Sequence, residues 1–254
     1  MRHLTYILEN LMPVIVAAAI ILFLGSLVQG MIGFAFGLLA VPLLISTGFS
    51  LAQAVALSTL SIGIQVMFGA HQLREHIPWQ HIKLAVIIRY LTVPIGIVCL
   101  LAIDSLDTDS VKRFVGIAVL CGVIVRLFTP DKQVRDLPIV VSIATFSLSG
   151  FLQGLIAMGG PPVILWLTTC DFTAKQARAF TMTLFLFNAP VQVFLLLVLS
   201  QTMTPAIILL ALMLSPLIFI GTRVGVYIGN RFSRTLLNNL AMATLCIIAL
   251  NAIF

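Results

Sequence analysis

Long apolar runs separated by short polar stretches set the pattern of this chain. Stretches long enough to cross a bilayer, about 20 helical residues, are predicted at Leu51–Ala70, Ile82–Ile103, Val111–Phe128, Leu137–Ala157, Ala174–Ser200, Pro205–Gly229 and Leu236–Phe254. Two regions depart from simple spans. Leu11–Thr47 is too long for one crossing and is interrupted by Gly25, Gly30, Gly33, Gly37 and Pro42. Leu137–Thr169 is likewise interrupted by Gly150, Gly154, Gly159, Gly160, Pro161 and Pro162. The pattern predicts an all-α polytopic membrane protein with about eight hydrophobic segments.

The two interrupted regions match each other. Val28-Gln29-Gly30-Met31-Ile32 lies 124 residues before Leu152-Gln153-Gly154-Leu155-Ile156. At an offset of 123, Ala54-Val55-Ala56-Leu57-Ser58 faces Ala177-Arg178-Ala179-Phe180-Thr181, and Gln65 faces Asn188. The chain therefore divides into a first repeat (1–128), a polar linker (129–136) and a second repeat (137–254), each opening with a Gly/Pro-broken segment. Internal duplication is a common transporter plan.

Composition narrows the class. Hydrophobic residues make up 61% of the 254 residues and charged residues 9%, against about 25% charged in soluble globular chains. Too few charges remain to cover a soluble globule, which excludes soluble enzymes, disordered proteins and disulfide scaffolds. The net charge of +6 points to membrane orientation instead of nucleic acid, because the basic residues sit in short loops between apolar runs. Cys99, Cys121, Cys170 and Cys246 have no metal-like spacing and read as small hydrophobes. Met1–Asn10 followed by Leu11–Leu24 resembles a signal peptide, but the apolar run continues to Thr47 without a polar mature region.

Charge also selects a topology. If each broken segment crosses once, basic residues split evenly between the two sides. If each is a hairpin, Arg74, Lys83, Arg126, Lys132, Arg135, Lys175, Arg178, Arg223, Arg231 and Arg234 fall on one side. Arg2, Lys112 and Arg113 fall on the other with Glu9, Asp104, Asp107 and Asp109. Ten against three follows the positive-inside bias, so the expectation is two inverted repeats with both termini outside the cytoplasm. The two breaks then approach one another from opposite faces. Broken helices aim N-terminal amides at a cavity, and Pro161-Pro162 suits the first turn of such a half-helix. That arrangement favours an anion.

The polar residues inside the apolar segments are the candidate site. Gln29 and Gln153 sit beside equivalent glycines, where a neutral amide can donate to an anion or join helices. Ser58 and Gln65 in the first repeat, and Thr181 and Asn188 in the second, form polar stripes two helical turns long. Gly33, Gly159 and Gly160 let backbone amides approach a ligand or let helices pack closely. Arg89 and Arg223 are cations within spans, placed at a pathway mouth or snorkelling to the surface. His71, His76 and His81 diverge around a helix and are interrupted by Pro78, so no metal site is expected, and no cofactor motif is present. Gly221, Gly225 and Gly229 form a packing seam.

With these motifs assembled, the sequence resembles the sulfite exporter TauE/SafE family of membrane permeases over essentially its whole length. The likeness is carried by Gly25-x4-Gly30-x2-Gly33-x3-Gly37 with Val41-Pro42-Leu43-Leu44, by Gly150-Phe151-x2-Gly154-x4-Gly159-Gly160, and by Gly221-x3-Gly225-x3-Gly229-Asn230-Arg231. Phe34, Ala35 and Phe36 in the first break and Pro161-Pro162 in the second depart from the family's fuller glycine runs. The resemblance implies transport of sulfite, organosulfonates or other sulfur-containing anions, commonly as export, in a bacterial inner membrane. The expected partners are a small anion and the lipid bilayer, without nucleic acid. Uptake of a different small anion and a non-transporting membrane scaffold are the rivals. A membrane enzyme would need a nucleophile–base set or metal ligands at a membrane face, and none is assembled.

Overall fold

The computed structural model describes residues 2–104, 109–111, 113–117, 120, 138–200, 202–231 and 243. The linker 129–136, the segment Leu236–Phe254 except Ala243, and most of Val111–Phe128 lie outside the described residues, as do Cys121, Cys246 and Arg234. Nine α-helices account for most of what is described: α1 (Arg2–Ile32), α2 (Phe36–Ser46), α3 (Leu51–Gln72), α4 (Trp79–Asp104), α5 (Ile139–Ile156), α6 (Gly160–Thr169), α7 (Ala174–Leu199), α8 (Pro205–Met213) and α9 (Ser215–Arg231). No strand occurs among the described residues.

Five of these helices carry apolar stretches long enough to cross a membrane, beginning with Met12–Ile32 in α1. The pair α8 and α9 adds a sixth, bent by 47°, where a single span was expected over Pro205–Gly229. The helices turn their apolar side chains outward. On α4, Ile87, Leu91, Ile95 and Val98 are exposed, Leu91 by 70%, while Arg89, Val93, Gly96 and Ile97 are buried. That inside-out distribution needs an apolar solvent. This is an all-α, multi-pass membrane protein.

The interruptions are sharper than the glycine pattern implied. α1 runs unbroken through Gly25 and Gly30, and α5 runs through Gly150 and Gly154. The chain breaks only at Gly33–Ala35 and Ala157–Gly159, each with a left-handed residue: Gly33 at φ 91° and Ala35 at φ 84° in one, Ala157 at φ 54° in the other. Gly37 and Pro42 lie inside α2. The second break reverses the chain. Trp166 of α6 donates to Ser142 Oγ at 2.9 Å, and its ring lies 5.1 Å from that of Phe146, so α6 returns antiparallel along α5. In the first region the Phe36 ring lies back over Gly25, two turns before the end of α1. At eleven and ten residues, α2 and α6 extend only about 15–17 Å, half a hydrocarbon core of about 30 Å.

Local chemistry fixes where the next helices start. Ser50 and Gln53 form a capping box at α3, with bonds of 3.2 and 3.0 Å. Thr173 and Gln176 form the same box at α7, with 3.2 and 2.9 Å. Asp104 at the end of α4 accepts from Ala52 N at 2.9 Å, which holds the end of α4 beside the start of α3.

Glycine removes the side chain where helices touch. Gly150 lies against Arg89 and Thr92, and Gly154 against Val93 and Ile97, so α5 runs parallel to α4. Gly221 lies against Phe23 and Ser26, and Gly229 against Met31, so α9 runs parallel to α1. Gly63 meets Ala189 and Gly69 meets Met182, so α3 and α7 cross antiparallel.

Candidate functional site

The two breaks meet inside the protein. Gly37 at the start of α2 packs on the carbonyl of Ala157, and a Cβ at Gly160 would lie 2.9 Å from Phe34 Cβ. Gly33 has no room for a side chain either. Its missing Cβ would sit 2.9 Å from Thr181 Oγ1 and 3.0 Å from Arg178 Cγ. The junction thus contains one break from each half of the chain, walled by α7 and α4.

Each break is held by its glutamine. The N–H of Phe36 donates to Gln29 Oε1 at 3.2 Å, and the N–H of Gly159 donates to Gln153 Oε1 at 3.1 Å. These side-chain carbonyls cap the half-helices as an N-cap residue would. Gln153 is bonded further: its Nε2 donates to Gln192 Oε1 at 3.0 Å, and Gln192 Nε2 returns to the Gln153 carbonyl at 2.8 Å. Gln29 Nε2 is buried with no partner.

Two arginines are buried at the junction. Arg89 is 0% exposed, so its head does not snorkel. Its Nη1 donates to Ser149 Oγ at 2.6 Å, and Ser149 donates to the Gly159 carbonyl at 2.5 Å, tying the cation to the second break. The guanidinium lies 5.0 Å over the Phe185 ring, while Nε and Nη2 have no partner. Arg178 is 5% exposed and packs on Gly33 at the first break. Its Nη2 donates to Asn230 Oδ1 at 2.6 Å, and its Nη1 is unpartnered. No carboxylate bonds either arginine among the described residues. A buried charge without a counter-ion is strongly unfavourable.

The remaining candidates are spread around this junction. Thr181 Oγ1 is turned back onto the Ala177 and Arg178 carbonyls at 3.0 and 3.1 Å. Gln65 Nε2 donates to the Ser26 carbonyl at 2.9 Å, and Asn188 Nδ2 to the Leu184 carbonyl at 2.7 Å. Both leave a buried side-chain oxygen without a partner, and Ser58 Oγ is buried and unpartnered too. Arg223 is exposed on α9 and is not brought to the junction. Cys170, between α6 and α7, has its thiol pKa pushed up by burial, against a smaller downward pull from its hydrogen bond with Thr169.

The profile described as Sulfite exporter TauE/SafE matches residues 17–252. The chain belongs to the sulfite exporter TauE/SafE family. No curated protein and no solved structure matches it. TauE/SafE proteins are membrane transporters of sulfite-type anions, and a junction with two buried arginines and no carboxylate bonded to them among the described residues suits that class. The sequence singled out Gln29, Gly33, Gln153, Gly159, Gly160, Thr181 and Arg89, which meet here. It passed over Ser149, Gln192, Asn230 and the burial of Arg178, which charge counting assigned to a loop side. The signal for Arg178 was its place, five residues beyond the Thr173 cap and well inside a helix.

Proposed function

We propose that this TauE/SafE protein carries a small sulfur-containing oxyanion, such as sulfite or an organosulfonate, by alternating access through the junction of the two breaks. The observation that carries the reading is Arg89: fully buried, bonded through Ser149 to the second break, and left with two unpartnered nitrogens and no carboxylate partner among the described residues. A bound anion supplies the missing charge and acceptors. Gln29 Nε2 adds a donor from the first break, and Gly33, Gly159 and Gly160 keep the two breaks free of side chains where they meet. Ser58, Gln65, Thr181 and Asn188 line the approach along α3 and α7. Arg223, on the outer face of α9, serves at most at the mouth.

Two inverted repeats, over 1–128 and 137–254, give the mechanism its two-sided form. Support comes from helix direction: α1 parallel to α9, α4 parallel to α5, α3 antiparallel to α7, with each short half-helix folding back. In this scheme both termini lie outside the cytoplasm of a bacterial inner-membrane protein, and export follows the outward anion gradient. Rocking of the two hairpin units then opens the junction to one side at a time.

The test is flux in proteoliposomes over sulfite, thiosulfate, sulfoacetate, sulfate and acetate. Saturable flux of a sulfur oxyanion, lost in Arg89→Gln, is expected. Folded protein that moves none of these anions overturns the reading in favour of a non-transporting scaffold or another substrate class. Flux that persists in Arg89→Gln keeps the carrier and discards the site.

A further inference from the structure

The two break glutamines begin with the same task and end with different surroundings. Both give Oε1 to the first amide of a half-helix. On the second break the rest of the side chain is used up, because Gln192 bonds both the Nε2 and the main-chain carbonyl of Gln153. The position equivalent to Gln192 in the first repeat is Gly69, at the same offset of 123 that pairs Gln65 with Asn188. Gly69 has no side chain to offer, and a Cβ there would run into Met182. Gln29 is 1% exposed, and its Nε2 is left with two N–H bonds unmade.

Oε1 is pinned by the Phe36 N–H, so the amide cannot flip without orphaning that N–H. The free Nε2 is therefore oriented by the fold. It belongs to the turn that ends at Gly33, against which the stem of Arg178 packs through Cγ and Cα. A buried, oriented and unpartnered amide donor at the first break matches an oxyanion, which offers several acceptor oxygens.

We infer that the roles of the two glutamines have separated: Gln29 donates its amide N–H to an oxygen of the transported anion, whereas Gln153 is a lock that holds the second hairpin closed through Gln192. The inference rests on the permease reading above and assigns its ligand residue. The two break glutamines are then unequal, with Gln29 in contact with substrate and Gln153 kept for rigidity.

The experiment compares Gln29→Glu with Gln153→Glu in the full chain, reading KM for sulfite flux and the thermal midpoint of unfolding. Glutamate at either position keeps an oxygen for the capped N–H and removes the amide donor. Gln29→Glu is expected to raise KM about ten-fold or more, the size of a lost hydrogen bond to a charged group, with Gln153→Glu as the control for the added charge. Gln153→Glu is expected to lower the midpoint with KM near that of the wild type. Equal KM changes in the two, or an unchanged KM in Gln29→Glu, overturn the inference. If Gln29→Glu does not fold, Gly69→Gln with Met182→Ala offers Gln29 the partner it lacks. A raised KM there supports the assignment and an unchanged one overturns it. Wild-type protein that moves none of the sulfur oxyanions sinks the permease reading itself, an outcome separate from any of these; where another sulfur oxyanion is the one carried, its KM replaces that of sulfite.

Discussion

At the seam between α1 and α9, a Cβ on Gly30 would lie 2.7 Å from the Thr222 carbonyl, and 3.1 Å from both Gly225 Cα and Val226 N. At the seam between α4 and α5, Gly154 faces the Val93 carbonyl, Gly96 Cα at 3.1 Å and Ile97 N at 3.0 Å. The three neighbours of Gly154 stand 129 residues before the three neighbours of Gly30. The breaks that these seams support do not match in this way. One carries Gln153, Gln192 and Ser149 in a bonded set, and the other carries Gln29 and Arg178 with donors left over. At both seams the glycine meets backbone, which leaves no room for a side chain, and there the two are alike. Polar groups beside a cavity answer to the ligand as well as to the fold, and there the two halves differ.

The largest effect should come from the seams. Gly154→Leu and Gly30→Leu each push a side chain into the backbone of the neighbouring helix, which cannot yield as a flexible side chain would. Overpacking of this kind costs about 3 kcal/mol or more. Both variants should lose monodisperse protein on detergent extraction, and to the same degree. A tolerated leucine at one seam only would break the likeness between them.

Next comes Arg89→Gln, which removes the buried cation while leaving side-chain bulk. Losing one partner of a desolvated charge pair costs roughly 2–5 kcal/mol of binding, so sulfite affinity should fall by well over ten-fold. Arg89→Lys restores charge without the fork that reaches Ser149, and should recover only part of it. Ser149→Ala is milder. It removes the link between Arg89 and the Gly159 carbonyl, two bonds whose net contribution is about 1–3 kcal/mol. Its signature is a lower thermal midpoint together with a raised KM, since the same hydroxyl serves the break and the cation.

Much of the fold was legible in the sequence because the bilayer enforces simple rules on apolar length and glycine placement. The pairing of Gln29 with Gln153 located both breaks within a few residues. What the glycine pattern overstated was interruption: Gly25, Gly30, Gly150 and Gly154 are packing contacts inside intact helices, and their spacing alone does not separate the two uses. The burial of Arg89 was hidden because snorkelling depends on which way the helix faces, and α4 turns that side toward α5. Gln192 was hidden for a different reason. The residue at the offset of 123 from it is Gly69, so a search for matching polar positions passed over a residue that makes the two breaks unlike.

The smallest expected effect tests the likeness where it is closest, at the two capping boxes. Ser50→Ala and Thr173→Ala each remove the side-chain oxygen that accepts from the third residue of the helix, worth about 1 kcal/mol. The geometry is the same at both, yet their surroundings are not. Asp104 also holds the start of α3 by accepting from Ala52 N at 2.9 Å, whereas Thr173 starts α7 directly after the loop from α6. The carboxylate keeps one α3 amide satisfied when the Ser50 hydroxyl is gone, so Ser50→Ala should lower the thermal midpoint less than Thr173→Ala does. Adding Asp104→Ala to Ser50→Ala should bring the two losses level. If Ser50→Ala is already the worse of the two, then Asp104 does not support that cap, and the starts of α3 and α7 are held by different means.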